Sequence, residues 1–181
     1  MVKSDDDIVV AMCASEPQGL MGALHTRAAG VENVKVFSCL TLKPYDFFMK
    51  PEMKGIFELN SWFHTASIRE VIKKGYGTAT YVPNMLHRAA TDRMYAKKPD
   101  IFMGTCTPPD RHGNVHLAMS LTYEKDVLEN AGLVMLEVNE KMPRAFGDTL
   151  VNVRDVDVFV ENTQDVPEMP GAQPGEVDLV I

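Results

Sequence analysis

Short apolar segments of strand length alternate with segments of helical periodicity along most of this chain. Gly30, Gly75 and Gly132 each follow a helical segment, in the position where glycine commonly ends a helix. Strands that alternate with helices form largely parallel sheets, with the helices packed on the sheet faces. The sequence therefore predicts an α/β domain with a mostly parallel sheet flanked by helices. We expect strands at residues 8–13, 34–42, 56–63, 78–82, 101–107, 133–138 and 156–160, and helices at 18–29, 66–74, 85–95 and 123–131.

Polar loops follow several of the predicted strands, at Ser15-Glu16, Asn60-Ser61, 108–110 and 139–144. The carboxyl ends of parallel strands share one edge of the sheet, where α/β proteins bind their ligands. The sequence thus predicts a site at this edge, although polar loops follow strands in any α/β fold. Ser15 is predicted to cap the first helix, with Pro17 in its first turn. A helix N-terminus stabilises a carboxylate, so we expect the pKa of Glu16 below its ordinary value and a structural or positioning role for it.

Residues 100–121 contain two apolar runs joined by an unusual connection. Pro108 and Pro109 fix φ and lack N–H donors, so the first run cannot continue as a strand beyond them. Gly113 and Asn114 adopt positive φ at little cost, which suits a hairpin turn into a second strand over 115–121. A plain β-hairpin explains this pattern, and so does a loop that lines a pocket at the sheet edge.

Four polar side chains in these later loops have both a structural and a functional interpretation. Asp110 suits a turn and also suits the binding of a polar substrate group. His112 is the histidine that we consider for a functional role, because it lies in this turn. Arg144 is able to bind a phosphate or carboxylate, or to hold its own loop through an ion pair with Asp148.

Composition excludes several classes of function. The chain has 181 residues, enough for one domain with a substantial core, and a net charge of −7 disfavours nucleic acid and anionic membranes as partners. It has no apolar run of bilayer-spanning length and no signal-peptide pattern at its start, which predicts a cytoplasmic protein. Its three cysteines lack metal-binding spacing and are expected to be buried thiols, and we predict no metal site. No Ser-His-Asp or Cys-His constellation is evident.

Several blocks of sequence resemble the acetyl-CoA hydrolase/transferase family, and are most similar to its 4-hydroxybutyrate and butyryl/acetate CoA-transferase branch. The blocks are KSDDDIVVA, SEPQGL, NSWF, REVIKKGYGTATYVP, PPDRHGNVHLAMS and LEVNEKMPRAFGD, followed by VRDVDVFVE. The resemblance extends from about Val2 to Glu161, and its most specific parts are PPD-x-HG and the later MPR-x-x-GD. Asp5 stands where the family usually has glycine, and Arg154 replaces a small polar residue.

This resemblance implies a fold of two similar α/β lobes, of the NagB/RpiA/CoA-transferase type. Residues 1–162 correspond to the N-terminal lobe, and residues 163–181 to the interlobe linker and the start of the C-terminal lobe. The family's catalytic glutamate belongs to the C-terminal lobe, where it forms an acyl-glutamyl anhydride and then a glutamyl-CoA thioester. No residue of this chain, including Glu16 and Glu137, is therefore assigned as the nucleophile, and we expect the isolated chain to be inactive.

The resemblance further implies the N-terminal half of an acyl-CoA:carboxylate CoA-transferase, with coenzyme A as a substrate and no other cofactor. Its expected partners are an acyl-CoA, a short-chain carboxylate, the C-terminal lobe and further copies of the chain. The substrate-binding residues expected are Ser15, Glu16, Pro17, Asn60, Ser61, Pro109, Asp110 and His112, braced by Arg144 and Asp148. The alternatives are an acetyl-CoA hydrolase of the same family and a non-catalytic small-molecule-binding domain on the same fold.

Overall fold

The computed structural model describes residues 1–168, in which nine β-strands and five α-helices follow one another along the chain. The strands are β1 (Asp7–Val10), β2 (Val34–Cys39), β3 (Phe57–Phe63), β4 (Ala79–Tyr81), β5 (Ile101–Cys106), β6 (Asn114–His116), β7 (Leu133–Val138), β8 (Leu150–Asn152) and β9 (Val158–Glu161). The helices are α1 (Gln18–Ala23), α2 (Asp46–Met49), α3 (Ala66–Lys74), α4 (Ala89–Ala96) and α5 (Glu124–Asn130).

Seven of these strands form one parallel sheet in the order β4-β3-β2-β1-β5-β7-β9. The predicted α/β class with a mostly parallel sheet is confirmed. The central strands β1 and β5 are buried along their whole length. A strand that is covered on both faces needs apolar side chains on both, which explains the continuous apolar runs in the sequence.

Helices cover the two faces of the sheet and create two separate layers of core. Successive residues of β1 belong to different layers, because side chains alternate across a strand. Ile8 and Val10 pack in the layer of α1, α2 and α3, whereas Val9 packs in the layer of α4 and α5. The first layer contains Met21, Phe47, Phe48, Ile68 and Val71, and the second contains Ala89, Ala90, Val127 and Leu128.

The strand order reverses between β1 and β5. From β1 the chain proceeds outward to β4, returns to β5 on the other side of β1, and then proceeds outward to β9. The loops that follow β1 and β5 therefore leave their neighbouring strands in opposite directions, an arrangement that in open α/β sheets leaves a crevice at the carboxyl edge. This is the position where open α/β sheets bind ligands.

Of the two interpretations of residues 100–121, the plain β-hairpin is wrong in the extent and the pairing of its second strand. Within the predicted strand 115–121, only Val115 and His116 belong to a strand, β6, which pairs antiparallel with β8, a strand that the sequence did not predict. Its contact with β5 is a single bridge between Cys106 and Leu117. The reason is that β1 and β7 already occupy both edges of β5, so no edge is free for a long antiparallel partner.

Some of the other predicted helix and strand boundaries are confirmed, and some are wrong. The bounds of α3 and β7 match their predictions, and Gly75 ends α3 with a left-handed φ of 68°. Ser15 does not cap α1, because it lies in a separate 3-10 helix, and α1 begins only at Gln18. Asp5, at the usual glycine position, has a φ of 64°, a conformation that glycine adopts more easily.

Two further predictions, the interlobe linker and the absence of a membrane-spanning segment, can be compared with the structure only over residues 1–168. Most of the predicted linker and the start of a second lobe lie at 169–181, outside the residues that the structure describes. Over residues 1–168, no helix combines the length and apolarity needed to cross a bilayer.

Candidate functional site at the carboxyl edge

The loop after β1 is joined across the crevice to the segments around β5. The Ser15 hydroxyl donates a hydrogen bond to the Ala118 carbonyl and accepts one from the Ser120 N–H at 3.1 Å. The Thr105 hydroxyl donates to the Glu16 carbonyl at 3.2 Å. These bonds place Ser15 and Glu16 at the point where the strand order reverses.

The Glu16 carboxyl group joins the same loop to the loop after β2. It is 1% exposed and accepts hydrogen bonds from the Tyr45 hydroxyl at 2.8 Å and the Leu42 N–H at 3.1 Å. Burial raises the pKa of Glu16 to about 7, although these donors act in the opposite direction. The expected lowering of its pKa is therefore wrong, because the cost of burying the charged carboxylate outweighs the effect of these donors.

A second buried carboxyl group, that of Glu124, holds the other end of the loop after β1. It accepts hydrogen bonds from the backbone N–H groups of Met12 at 3.1 Å, Thr122 at 2.7 Å and Tyr123 at 3.0 Å. Burial raises the pKa of Glu124 as well. The Tyr123 hydroxyl donates to the Val10 carbonyl at 2.8 Å, so the start of α5 is attached directly to the end of β1.

Three of the carboxyl-edge loops contain a non-glycine residue with left-handed backbone. Cys13 has a φ of 55°, Leu40 of 54° and Met119 of 70°. Such residues are uncommon, and they concentrate at functional sites where surrounding contacts hold them in place. Here those contacts are the hydrogen bonds of Ser15 and of the two buried carboxyl groups. The loops after β1 and β2 and the segment between β6 and α5 thus form one constrained unit.

Asn60 and Ser61 lie inside β3, which ends at Phe63, and not in a loop that follows the strand. Both are buried, and their polar atoms bond within the strand. Asn60 Nδ2 donates to the Glu58 carbonyl at 3.4 Å, and the Ser61 hydroxyl donates to the Phe63 carbonyl at 2.8 Å. Their role in substrate binding stays a prediction.

Beyond Asn60 and Ser61, a small apolar cavity opens beside the end of β3. It measures about 130 Å³ and is lined by Cys39, Trp62, Phe63, Asn84, Met85, Leu86 and Ala89. Of these residues, only Asn84 has an amide side chain, and its Oδ1 is buried without a hydrogen-bond partner. A cavity of this composition suits a small apolar group that carries one polar atom.

The turn that contains Pro109, Asp110 and His112 is built around the Asp110 carboxylate. Asp110 Oδ1 accepts hydrogen bonds from the N–H groups of His112 at 2.8 Å and Asn114 at 2.9 Å. The N–H of Asn114, then that of His112, and the nearby charge of Arg144 lower the pKa of Asp110. Asp110 therefore acts as a turn former, and Pro109 and His112 stand exposed on the turn.

Arg144 and Asp148 are both exposed, and the structure does not join them to each other. Asp148 forms its ion pair with Lys125 of α5. Arg144 instead lies near enough to Asp110 to influence its pKa. The interpretation of Arg144 as the ion-pair partner of Asp148 is therefore wrong, and its expected bracing of the site stays a prediction.

The remaining predicted residues behave as parts of the scaffold. Pro17 is buried and its carbonyl accepts the Met21 N–H at 2.9 Å, which begins α1. Cys39 and Cys106 are buried, and burial raises the pKa of their thiols to about 11 and about 12. Cys13 is only partly buried, contrary to the expectation for all three thiols. Within residues 1–168, no group of three or more His, Cys, Asp or Glu side chains is arranged to hold a metal.

Sequence reasoning missed Tyr45, Glu124 and Thr105, which hold the site loops in place. Tyr45 belongs to an aromatic cluster whose pattern indicates only core packing. Glu124 opens α5, where acidic residues are common for electrostatic reasons alone. No local signal separates these residues from ordinary ones, because their partners are distant in the chain.

Comparison with known proteins gives a consistent result. The sequence model of the acetyl-CoA hydrolase/transferase N-terminal domain matches residues 1–170. Butyryl-CoA:acetate CoA-transferase of Anaerostipes caccae is 30% identical over 164 residues, which cover 89% of this chain and 36% of that protein. Succinyl-CoA:cyclohexane-1-carboxylate CoA transferase of Geobacter metallireducens is 28% identical over 161 residues, with the same two coverages.

A solved structure agrees with these relatives. The crystal structure of RipA from Yersinia pestis superimposes with a TM-score of 0.90 at 29% identity, covering 97% of this chain and 43% of RipA. The chain thus spans less than half the length of each of these three proteins.

Proposed function

Because this chain belongs to the acetyl-CoA hydrolase/transferase family, whose N-terminal domain it matches, we propose that it is the N-terminal lobe of an acyl-CoA:carboxylate CoA-transferase. The observation that carries the proposal is the constrained group of loops at the β1–β5 crevice, in a family whose named relatives are CoA-transferases. The substrates proposed are short-chain, of the 4-hydroxybutyrate or acetate/butyrate type, and coenzyme A is a substrate and not a resident cofactor.

The proposed chemistry uses a glutamate outside this chain, in a C-terminal lobe. Its carboxylate oxygen attacks the thioester carbonyl of the acyl-CoA, and the CoA thiolate leaves to give an acyl-glutamyl anhydride. The thiolate then attacks the glutamyl carbonyl of the anhydride, releasing the acyl group as a carboxylate and leaving a glutamyl-CoA thioester. The acceptor carboxylate reverses these steps, so that a new acyl-CoA forms and the glutamate is regenerated.

In this proposal the present chain supplies one wall of the site. The buried Ser15–Pro17 loop lies at the carboxyl edge of β1, and the left-handed residues Cys13, Leu40 and Met119 hold backbone groups there in fixed directions. The cavity beside Trp62 offers a pocket for a short acyl chain. The turn of Pro109, Asp110 and His112 extends the wall toward the polar end of the substrate.

The test compares the isolated chain with a longer protein that continues into the second lobe. CoA transfer from butyryl-CoA to acetate is followed by chromatography of acetyl-CoA. We expect transfer by the longer protein and none by the isolated chain, because the covalent nucleophile is absent from it. Transfer by the isolated chain would contradict the assignment of the nucleophile.

The same assay without acetate separates transferase from hydrolase. A transferase consumes butyryl-CoA only when the acceptor is present, whereas a hydrolase releases free CoA at the same rate without it. Absence of both activities in the longer protein would favour a non-catalytic small-molecule-binding domain and would overturn the proposal.

A further inference from the structure

The proposed chemistry assigns no part to a third buried carboxylate, that of Glu137 near the end of β7. Its side chain is 0% exposed and accepts hydrogen bonds from four donor groups, two backbone N–H groups and two side-chain amides. The N–H groups of Gly19 and Leu20 each donate to Oε2 at 2.9 Å. The side-chain amides of Asn162 and Gln164 donate to Oε1 at 2.5 and 3.1 Å. Neutral N–H donors thus surround this carboxylate.

These donors come from two segments with different positions in the molecule. Gly19 and Leu20 begin α1 and directly follow the loop that carries Ser15 and Glu16. Asn162 and Gln164 belong to residues 162–165, which follow β9 and which we term the exit segment. One carboxylate therefore joins the start of α1, next to the candidate site loop, to the exit segment.

Further hydrogen bonds hold the exit segment against the carboxyl edge. The Asn162 N–H donates to the Val138 carbonyl at 3.0 Å, and Asn139 Nδ2 donates to the Gln164 carbonyl at 2.9 Å. Lys141 Nζ pairs with the Asp165 carboxylate at 2.6 Å. The exit segment thus follows a defined course from the end of β7 toward the start of α1.

Gly19 leaves the space that this arrangement needs. A Cβ atom at this position would lie 2.6 Å from Asn162 Nδ2 and 3.1 Å from Glu137 Oε2. The first distance is shorter than real Cβ contacts, so a larger residue would push the Asn162 amide away from Glu137. The glycine of the SEPQGL block therefore serves close packing between α1 and the exit segment.

We propose that Glu137 is a positioning residue, which fastens the exit segment to the start of α1, directly after the Ser15–Pro17 loop, and so fixes the exit segment relative to the site. The significance of this role rests on the proposed function, in which the exit segment leads to the lobe that bears the nucleophile. Fixing both segments through one carboxylate would hold the two halves of the active site in register.

The first test is amide hydrogen exchange in the chain itself. Glu137→Gln keeps the shape but replaces one acceptor oxygen by an NH₂ group, which leaves some of the N–H donors unsatisfied. We expect exchange to rise at least about tenfold at Gly19, Leu20 and the exit segment, since a lost buried bond of this kind shifts local opening by about that factor. Gly19→Ala should have the same effect on the exit segment.

Glu124→Gln is the matched control, because Glu124 is an equally buried carboxyl group that accepts backbone N–H donors elsewhere. It should raise exchange at Met12, Thr122 and Tyr123 and leave the exit segment unchanged. Wild-type exchange of the exit segment in Glu137→Gln would overturn the anchoring. This result involves no substrate, so it stands whether or not the longer protein transfers CoA.

A kinetic test distinguishes positioning from a general loss of stability. In the two-lobe protein, Glu137→Gln should lower kcat at least about tenfold, with a change in KM for the acyl-CoA below about threefold. Val71→Ala removes core packing under α3, far from the exit segment, and should lower the melting temperature without lowering kcat. A loss of kcat in Glu137→Gln no larger than in Val71→Ala would overturn the positioning role.

Discussion

At the scale of single residues, Glu16 shows how burial competes with hydrogen bonding. The Tyr45 hydroxyl and the Leu42 N–H replace part of the water that an exposed carboxylate would bind. No Lys or Arg forms an ion pair with Glu16 in the described part of the chain, so the charged form remains unfavourable and the pKa rises to about 7. Near neutral pH this group exchanges a proton within the candidate site.

The raised pKa of Glu16 predicts a loss of stability as the pH rises. The folded protein retains the proton up to about pH 7, whereas the unfolded chain releases it near pH 4.5. The protonated Glu16 side chain therefore contributes about 3 kcal/mol to the free energy of unfolding. This contribution is fully present below pH 4.5 and disappears as the pH rises through about 7. Glu16→Gln has no proton to release, so its stability relative to wild type should increase across this range.

Urea unfolding followed by the fluorescence of Trp62, the single tryptophan, measures this difference at several pH values. A constant difference between Glu16→Gln and wild type over the whole pH range would contradict the raised pKa. Glu70→Gln, an exposed carboxyl group on α3, is the control and should show no comparable trend.

At the scale of elements, the helices differ in what stabilises them. Helices α1 and α2 have only six and four residues, and neither has a side-chain cap. Helices this short do not form without tertiary contacts, and α1 obtains its N-terminal acceptors from Glu137 on β7. By contrast, α3 has nine residues, a buried apolar stripe and a glycine at its C-terminal end.

This difference predicts opposite effects of alanine at two glycines. Gly75 has a left-handed φ of 68° at the end of α3, and a Cβ there meets no atom within 4 Å. Gly75→Ala should therefore lower the free energy of unfolding by about 1 kcal/mol through backbone strain alone. Gly22 lies within α1, where a Cβ also meets no atom within 4 Å and φ is not left-handed. Gly22→Ala should therefore raise the free energy of unfolding by about 0.5 to 1 kcal/mol. Thermal or urea unfolding of the two variants measures both effects, and the same sign for both would contradict the assignment.

At the scale of the whole molecule, the carboxyl edge exposes large apolar side chains. Phe63, Tyr81, Met85 and Met119 are more than half exposed, at 55%, 53%, 65% and 51%. Phe63 and Met85 line the cavity beside Trp62, Tyr81 ends β4, and Met119 lies between β6 and α5. Exposed apolar groups gathered at one edge are typical of surfaces that another protein surface covers.

We therefore predict that the isolated chain self-associates through this edge. The weight-average mass from light scattering should rise with protein concentration, and Met85→Lys should return it to the monomer value. Tyr95→Lys changes a side chain that is 93% exposed on α4 and should leave the association unchanged. A monomer at all concentrations would contradict the prediction.

The sequence by itself determined the α/β class, the bounds of α3 and β7, and the family, because these depend on patterns among residues close in the chain. Strand order, the pairing of β6 with β8, the donors of Glu137 and the raised pKa of Glu16 were decided only by the tertiary structure. The Glu16–Tyr45 bond spans 29 residues and the Glu137–Gly19 bond spans 118. Burial and hydrogen bonding between such distant residues arise only when the sheet brings their loops together, and patterns among neighbouring residues do not predict those contacts.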